Sequence, residues 1–443
     1  MSFSETIFAL ASGRGRAGVA VVRISGPGAM DSLEGLSAKP LPEARRAVLR
    51  PIYRRNDKTL IDQSIAICFP GPNSFTGEDV VELHLHGGPA ILTALFEELS
   101  AFDGFRPADP GEFTRRAFEH GKMDLTEAEG LGDLVNAETE AQARQALRQM
   151  QGELGRLYDG WREQLIAALA HLEADIDFPD EDLPDGVASA IAPKIAALRA
   201  EIDTHLADGH RGEKIREGLD VVILGQPNVG KSSLLNALAR RDAAIVSDEA
   251  GTTRDIIEVP MDLAGYPVTI ADTAGLRESG NVIEREGVRR ARERAKSADI
   301  RFFMTTADAP DIPAEFAGLF EKTDYRLINK TDLVEKAISP DPEAHVFSLS
   351  VKSGEGVDEF MAALEADVTN RLDLSGAPAL TRLRHRQALE ECVTALTRFE
   401  AAQEPELAAE DVRLAVRALG RITGRVDVED ILDVIFGDFC IGK

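Results

Sequence analysis

Hydrophobic positions along the chain fall into three patterns. Over residues 1–118, short apolar runs such as Val19–Val22 and Ile65–Phe69 alternate with Gly- and Pro-rich turns, which is typical of a mixed α+β fold. From about residue 123 to 215, and again from Leu383 onward, apolar residues recur at helical spacing. Between these helical regions, apolar runs of strand length alternate with helical stretches, which favours an α/β fold.

The predicted domains follow these patterns. At 443 residues, the chain is long enough for about three domains. We place them at residues 1–118, 119–217, 218–372 and 373–443, where the second and fourth ranges are parts of one helical domain. Because helices flank the α/β region on both sides, an insertion into that helical domain is the simplest arrangement. Two separate helical domains are the alternative. Residues 142–174 have few helix breakers and apolar residues at helical spacing, which predicts a helix there.

A phosphate-binding loop is predicted at Gly225–Ser232, which matches the pattern G-x-x-x-x-G-K-S. It follows the apolar run Val221–Leu224 and precedes a predicted helix at Ser233–Leu238. Glycines allow backbone N–H groups to turn toward phosphates, and the helix N-terminus favours negative charge. Lys231 would reach the β- and γ-phosphates, and Ser232 would ligate Mg²⁺. A Gly-rich turn without a ligand is the alternative.

Guanine recognition is predicted at Asn329–Asp332, which follows the short apolar strand Tyr325–Ile328. The Asp332 carboxylate can accept hydrogen bonds from the ring N–H and the exocyclic amine of guanine. Adenine lacks this donor pair, so ATP should be rejected. Ser350–Lys352 follows another strand candidate, Val346–Leu349, and fits the loop behind the base.

Two further segments complete the predicted nucleotide site. Asp272–Gly275 follows a strand candidate, so that Asp272 would support Mg²⁺ from behind its ligands and the Gly275 amide would contact the γ-phosphate. Gly251–Asp255 lies where a first switch segment belongs, with Thr253 as a Mg²⁺ ligand. These short motifs are weak individually, but their correct order along the chain favours a GTP-binding domain.

The residue after Asp272–Gly275 is Leu276, which cannot orient a water molecule for hydrolysis. Glu278, Glu284 and Glu286 are the nearby acids that could do so. A monovalent cation could supply the missing positive charge, with Asn228 as its ligand. Alternatively, Asn228 is only a turn residue.

A second set of polar residues lies in the N-terminal region. Arg23, Glu82 and Lys122 could form a pocket for a ligand that carries carboxylates and a heteroaromatic amide edge. The alternative for Arg23 is an ordinary surface ion pair. Strand alternation places His84 and His86 on the same face as Glu82. Because no third metal ligand is visible, a solvated face is favoured over a metal site.

Composition limits the remaining possibilities. The net charge of −26 is unfavourable for nonspecific binding to nucleic acid. Three cysteines argue for a reducing compartment, and the lack of a long apolar run argues against a membrane span, so we expect a cytoplasmic protein. Cys440 lies in a terminal Cys-Ile-Gly-Lys string that fits the prenylation code poorly.

Together these strings resemble the MnmE (TrmE) family of tRNA-modification GTPases over essentially all 443 residues. The resemblance rests on Arg23–Gly26, Phe69–Asp79, Pro110–Phe113, Gly251–Asp255 and the terminal Cys440–Lys443. It implies an N-terminal folate-binding and dimerisation domain, a helical domain and an inserted Ras-like P-loop GTPase domain.

The family resemblance also implies an activity. A homodimer would work with the flavoprotein MnmG, which carries FAD and NADH, in a heterotetramer or larger complex. The complex would add an aminomethyl or carboxymethylaminomethyl group to C5 of the wobble uridine of certain tRNAs. The one-carbon unit would come from a 5-formyl or 5,10-methylene tetrahydrofolate derivative. Binding of K⁺ and GTP would make the GTPase domains dimerise and activate hydrolysis.

Site residues follow from the same resemblance. The implied GTP-contacting positions are Asn228, Val229, Gly230, Lys231, Ser232, Ser233, Ser247, Thr252, Thr253, Asp272, Thr273, Ala274, Gly275, Asn329, Lys330, Asp332, Ser350, Val351 and Lys352. The implied metal ligands are Ser232 and Thr253 for Mg²⁺, and Asn228, Ser247, Glu249 and Thr252 for K⁺. The implied catalytic residues are Glu284, which would orient water, Lys231, and Cys440, a thiol implicated in modification. The implied folate-contacting residues are Arg23, Glu82, Lys122 and Lys443.

Two other functions remain open from the sequence. A ribosome-assembly GTPase would share the nucleotide motifs, but it would normally carry a basic RNA-binding module, which is not found here. A folate-dependent transferase with a regulatory GTPase domain would transfer carbon without the flavoprotein.

Overall fold

The computed structural model describes most of the chain as two compact units. The described residues are 5–177, 187–208, 210–240, 257–272, 289, 291–334, 339–373, 376, 378–426, 429–437 and 439–442. The first unit comprises Met1–Gly132, Met150–Glu163 and Val416–Lys443, and the second comprises Asp133–Gln149 and Gln164–Ala415. Among the described helices, none combines the length and apolar character that a membrane span requires.

A six-stranded sheet forms the centre of the first unit. Its elements are β1 (Thr6–Leu10), β2 (Ala17–Ser25), α1 (Ala29–Ser37), β3 (Val48–Tyr53), β4 (Leu60–Phe69), β5 (Val80–Gly87), α2 (Pro89–Ser100), β6 (Phe105–Pro107) and α3 (Glu112–Glu119). The strand order is β3-β4-β5-β2-β1-β6, and all neighbours are antiparallel except β1 and β6. Leu33 of α1 and Leu95 of α2 pack with Val22 and Leu83 in one apolar core. The α+β prediction for this region is therefore confirmed.

Helices follow this sheet along the chain. They are α4 (Leu125–Asn136), α5 (Glu140–Met150), α6 (Glu153–Asp177), α7 (Val187–Leu206) and α8 (Arg211–Glu217). The expectation of one helix over residues 142–174 is wrong, because the chain turns between α5 and α6. Gly152 adopts φ +79° there, a backbone angle that an α-helix cannot contain.

The second sheet contains the predicted nucleotide segments. Its elements are β7 (Leu219–Leu224), α9 (Lys231–Ala239), β8 (Ile257–Leu263), β9 (Tyr266–Asp272), α10 (described over 291–297), β10 (Ile300–Thr306), α11 (Ala314–Ala317), β11 (Tyr325–Asn329), β12 (Val346–Ser348) and α12 (Val357–Leu372). The strand order is β12-β11-β10-β7-β9-β8, and every pair is parallel except β8 and β9. The carboxyl ends of parallel strands meet at one edge, where α/β folds bind ligands.

Helices return after this α/β region, as α13 (Leu383–Ala401), α14 (Pro405–Thr423) and α15 (Glu429–Gly437). Within the second unit, α13 packs against α7, although the whole second sheet lies between them in sequence. An inserted α/β domain explains this contact, because the chain leaves the helical region at α8 and returns to it at α13.

A buried charged network holds α3 to the first sheet. Arg116 of α3 is fully buried and donates to both carboxylate oxygens of Glu78 at 3.2 and 3.0 Å, and to Glu112 at 2.9 Å. Glu112 also accepts two hydrogen bonds from Arg106, at 2.7 and 2.6 Å. Burial alone would raise the pKa of the Glu112 carboxyl, but hydrogen bonds that include those from the two arginines lower it overall. The network therefore keeps the buried Glu112 carboxylate charged and paired.

Arg116→Ala should destabilise the first unit by about 3–5 kcal/mol, because the Glu78 carboxylate, which is only 10% exposed, would lose its charged partner. Thermal and urea unfolding followed by circular dichroism measures this loss. The neighbouring Arg115 offers a matched control, since its side chain is 38% exposed and pairs with Glu119 and Asp433. Arg115→Ala should cost less than about 1 kcal/mol. Equal, small losses for both variants would contradict a structural role for the network.

Candidate functional site

The loop after β7 has a backbone that requires glycine at two positions. Gly225 and Gly230 adopt φ +152° and +111°. A Cβ atom on Gly225 would lie 2.2 Å from the carbonyl oxygen of Met304, and one on Gly230 would lie 2.3 Å from the side-chain nitrogen of Asn329. The glycine spacing of the motif thus reflects close approach of the loop to β10 and β11.

Lys231 begins α9 and turns back over this loop. Its ammonium donates to the carbonyl oxygens of Gly225 at 2.8 Å and Gln226 at 2.9 Å. Only 6% of the residue is exposed. Burial lowers the pKa of the Lys231 ammonium, and the nearby Asp272 carboxylate opposes this effect. The cation is held where the loop carbonyls, or the phosphates of a nucleotide, can accept its hydrogen bonds.

Ser232 and Asp272 meet beside Lys231. The Ser232 hydroxyl donates to the Asp272 carboxylate at 2.5 Å, and Asp272 is fully buried at the end of β9. Because a hydroxyl and a carboxylate are hard oxygen donors, the pair suits Mg²⁺. The two side chains come from different motifs, as the sequence predicted.

Asn329 links the phosphate loop to the predicted base-binding loop. Its amide nitrogen donates to the Val229 carbonyl at 2.8 Å, and its amide oxygen accepts from the Val351 backbone N–H at 3.1 Å. The residue is only 4% exposed at the end of β11. Both ends of the site are therefore fixed by one buried side chain.

The base-binding loop is organised around Asp332. The Ser350 hydroxyl donates to the Asp332 carboxylate at 2.8 Å and accepts from the Ser353 backbone N–H at 3.2 Å. Ser350 is fully buried, whereas Asp332 is exposed. Lys330 adopts φ +63°, which turns the backbone between Asn329 and Asp332. The carboxylate is thereby oriented before any ligand binds.

These loops enclose a cavity of about 580 Å³. Asn228 and Gly230 line it at the phosphate loop, and Ser233 lines it on α9. The base-binding side contributes the predicted positions Asn329, Lys330, Asp332, Ser350, Val351 and Lys352. Asn228 has φ +62°, which asparagine tolerates, so its cavity position is compatible with both the ligand and the turn interpretation.

The remaining predicted nucleotide positions divide into two groups. Val229 is 7% exposed, and its side chain packs in the core of the second unit. The second group lies outside the described residues: Ser247, Glu249, Thr252, Thr253, Thr273, Ala274, Gly275 and the candidate water-orienting acids Glu278, Glu284 and Glu286. Leu276 and the predicted folate contact Lys443 also lie outside them.

Four cavity residues were not among the predicted sites. They are Asn236, Ala237, Arg240 and Leu333. The first three follow Ser233 at helical spacing along α9, so that the helical period could have indicated them. Leu333 carries no such signal, because it lies after the guanine motif in a short 3-10 helix.

Arg23 and Glu82 meet in the first unit. They are directly opposite each other on β2 and β5, and the Arg23 guanidinium donates to Glu82 at 3.0 and 2.9 Å. Arg23 therefore does form an ion pair, as the alternative interpretation of this residue predicted. The side chains are only 20% and 18% exposed, and Arg23 also lies over the rings of Phe75 and Phe113. This pair is more enclosed than an ordinary surface ion pair.

Lys122 lies near the same loop as Phe75. A Cβ atom on Gly77 would lie 3.3 Å from Cε of Lys122 and 3.0 Å from Cβ of His120. Lys122 itself is exposed. The loop that carries Phe75 and Gly77 thus contacts both Arg23 and Lys122, although no direct contact joins the two cations.

The two histidines of β5 have carboxylate neighbours. His86 Nδ1 lies 2.8 Å from Asp62, and His84 Nε2 lies 3.8 Å from Glu82. β5 buries alternate residues, and Glu82, His84 and His86 lie on its less buried face, as predicted. Among the described residues, no group of three His, Cys, Asp or Glu side chains is arranged to hold a metal ion.

The C-terminal segment contacts the first sheet. Ile441 forms an antiparallel bridge with Pro110, and a Cβ atom on Gly442 would lie 2.1 Å from the Leu10 carbonyl oxygen. Cys440 is exposed beside this bridge. The thiol is thereby held near β1, the strand that pairs with β2.

Comparison with protein families gives two matches. The family model described as "GTP-binding protein TrmE N-terminus" matches residues 6–122. The model described as "MnmE helical domain" matches residues 125–440. Together they cover both described units.

Individual relatives match the whole chain. The tRNA modification GTPase MnmE of Parvibaculum lavamentivorans is 54% identical over 443 residues, which cover 99% of this chain and 100% of that protein. The protein of the same name from Paramagnetospirillum magneticum is 53% identical, with 99% and 100% covered. The mitochondrial 5-taurinomethyluridine-[tRNA] synthase subunit GTPB3 of Danio rerio is 45% identical, with 99% and 93% covered. With more than half of its residues identical to a full-length relative and both family models matched, the chain belongs to the MnmE family of tRNA modification GTPases.

Proposed function

We propose that this chain binds and hydrolyses GTP as a subunit of a complex that modifies the C5 position of the wobble uridine in tRNA. The observation that carries the proposal is the single cavity that joins the phosphate loop to Asp332 and Ser350. The names of full-length relatives support both halves of the proposal, since they describe a tRNA modification GTPase and a uridine-[tRNA] synthase subunit.

The chain's own residues have distinct tasks in GTP binding. Lys231 exchanges its bonds to two loop carbonyls for bonds to the β- and γ-phosphates, and the N-terminus of α9 favours their charge. Ser232 and Thr253 would hold Mg²⁺, which would supply positive charge to the phosphates. The buried Asp272 carboxylate accepts from the Ser232 hydroxyl and orients it. Asp332 reads the base, and Ser350 holds its carboxylate in place.

Asp332→Asn should weaken GTP binding about 100-fold or more, because an amide cannot accept both hydrogen bonds from guanine. The same amide can donate to the extra carbonyl of xanthine, so XTP binding should improve. Calorimetric titration with both nucleotides measures the change in preference. Asp311→Asn is the control, since Asp311 is fully exposed and should leave both affinities unchanged. Undiminished GTP affinity in the Asp332 variant would show that the base is read elsewhere.

Hydrolysis needs a replacement for the water-orienting group that Leu276 cannot provide. We propose Glu284 for this role, and K⁺ for the positive charge that stabilises the transition state. The proposed ligands of K⁺ are Asn228, Ser247, Glu249 and Thr252. The support from the described residues is that Asn228 is exposed and lines the nucleotide cavity at the phosphate loop.

GTP turnover should therefore be faster in KCl than in NaCl at equal ionic strength. Asn228→Ala should remove this difference while leaving GDP affinity within about threefold, because the cation acts on the transition state rather than on binding. Steady-state phosphate release measures the rates. Equal wild-type rates in the two salts would eliminate the potassium proposal.

The first unit is proposed to bind a tetrahydrofolate derivative that supplies the one-carbon unit. Its support is the half-buried Arg23–Glu82 pair, which offers a cation and a carboxylate beside the rings of Phe75 and Phe113. Lys122 lies beside Gly77 of the loop that carries Phe75. Lys443 is the fourth proposed folate contact, and Cys440 is proposed as a thiol that acts in the modification. The support for Cys440 is that the neighbouring Ile441 and Gly442 are held beside Pro110 and β1. Equilibrium dialysis with 5-formyltetrahydrofolate tests this assignment, and no retention of the ligand would refute it.

The proposed assembly is a cytoplasmic homodimer bound to the flavoprotein MnmG, which supplies FAD and NADH. A net charge of −26 supports the view that tRNA is held mainly by the assembled complex. Co-purification of the two proteins, with tRNA retention measured for each alone and together, tests this arrangement. Equal tRNA retention by this chain alone would contradict it.

A further inference from the structure

The nucleotide cavity extends along α9 beyond the phosphate loop. Ser233, Asn236, Ala237 and Arg240 all line it. Their spacing of three, four and seven residues places them on one face of the helix. Arg240 is the C-terminal cap of α9, with right-handed helical angles of φ −86° and ψ −6°, so that it continues this face.

Arg240 lines the cavity at the end of α9 that is farther from the phosphate loop. It is two helical turns, or about 10 Å, beyond Ser233, while phosphates belong at the N-terminal end of α9. The same cavity is lined by Lys330, Asp332 and Lys352 of the base-binding loops. A nucleotide whose phosphates sit at Gly230 would direct its base into this region.

The described lining of the cavity offers few planar side chains that could stack on a purine ring. None of the described residues that line it is aromatic. The guanidinium of arginine is planar and stacks on the π-face of a ring, whereas the ammonium of lysine is a compact charge without a plane. Arg240 is exposed, so that its side chain is free to lie against a ligand.

We propose that Arg240 binds the guanine base of GTP and GDP by stacking its guanidinium on the ring. The inference rests on the proposed GTP binding and extends it to a residue outside the nucleotide motifs. A different explanation for an arginine at this position is electrostatic, because any cation at a helix C-terminus interacts favourably with the helix dipole. Lysine would serve that role equally well, so the two explanations predict different behaviour for Arg240→Lys.

Calorimetric titration of the full chain with GDP, combined with melting temperatures of the ligand-free protein, separates these roles. Arg240→Ala should weaken GDP binding roughly 3-fold to 30-fold, the range that corresponds to one cation–π contact. Arg240→Lys should keep the wild-type melting temperature but remain weakened in GDP binding. Arg292→Ala is the matched control, since Arg292 is an exposed arginine of α10 that does not line the cavity. It should bind GDP like the wild type.

Three results would overturn the stacking role: GDP affinity of Arg240→Ala within about twofold of wild type, full recovery of affinity in Arg240→Lys, or an equal loss in Arg292→Ala. Each of these leaves wild-type GDP binding intact and so leaves the proposed function standing. A wild-type chain that does not bind GDP would overturn the proposed function itself, and this inference with it.

Discussion

The nucleotide site depends on the buried amide of Asn329. One side chain donates to the phosphate loop at Val229 and accepts from the base-binding loop at Val351. Because Gly230 leaves no room for a Cβ atom beside this amide, the loop and the strand that carries Asn329 constrain each other. The distance between the proposed phosphate-binding and base-binding loops is therefore set by the end of β11. Lys231, Ser232 and Asp332 are then positioned by secondary structure rather than by the ligand.

A similar constraint operates in the first unit, where charge rather than an amide connects distant segments. Arg116 joins Glu78, which ends the polar loop before β5, to Glu112 of its own helix. The same loop carries Phe75, whose ring lies near Arg23. Proper placement of the proposed folate residues thus depends on a buried network that contains none of them. In both units, a buried polar side chain fixes a loop beside the proposed functional residues.

Local sequence motifs predicted the structure where a short run of residues determines the backbone on its own. The apolar run before Gly225 predicted β7, and the order of the nucleotide motifs predicted the α/β fold that brings Ser232 and Asp272 together. The turn at Gly152 was missed, because glycine is tolerated within helices and only its positive φ ends this one.

Long-range contacts had no local signal. The partners Arg116 and Glu78 are 38 residues apart, and each is equally compatible with a solvated loop. The Arg23–Glu82 contact depends on the register between β2 and β5, which their separate sequences do not specify. Arg240 was missed for a related reason. The sequence of α9 does not show which face of the helix lines the cavity.

GTP recognition by this chain is proposed to serve tRNA modification. The most direct test is mass spectrometry of the nucleosides in bulk tRNA from cells that lack the chain, then from the same cells complemented with the wild type or with Asp332→Asn. We predict that the C5-modified wobble uridine disappears without the chain, returns with the wild type and does not return with the variant. Unchanged uridines in the cells that lack the chain would contradict a role in tRNA modification.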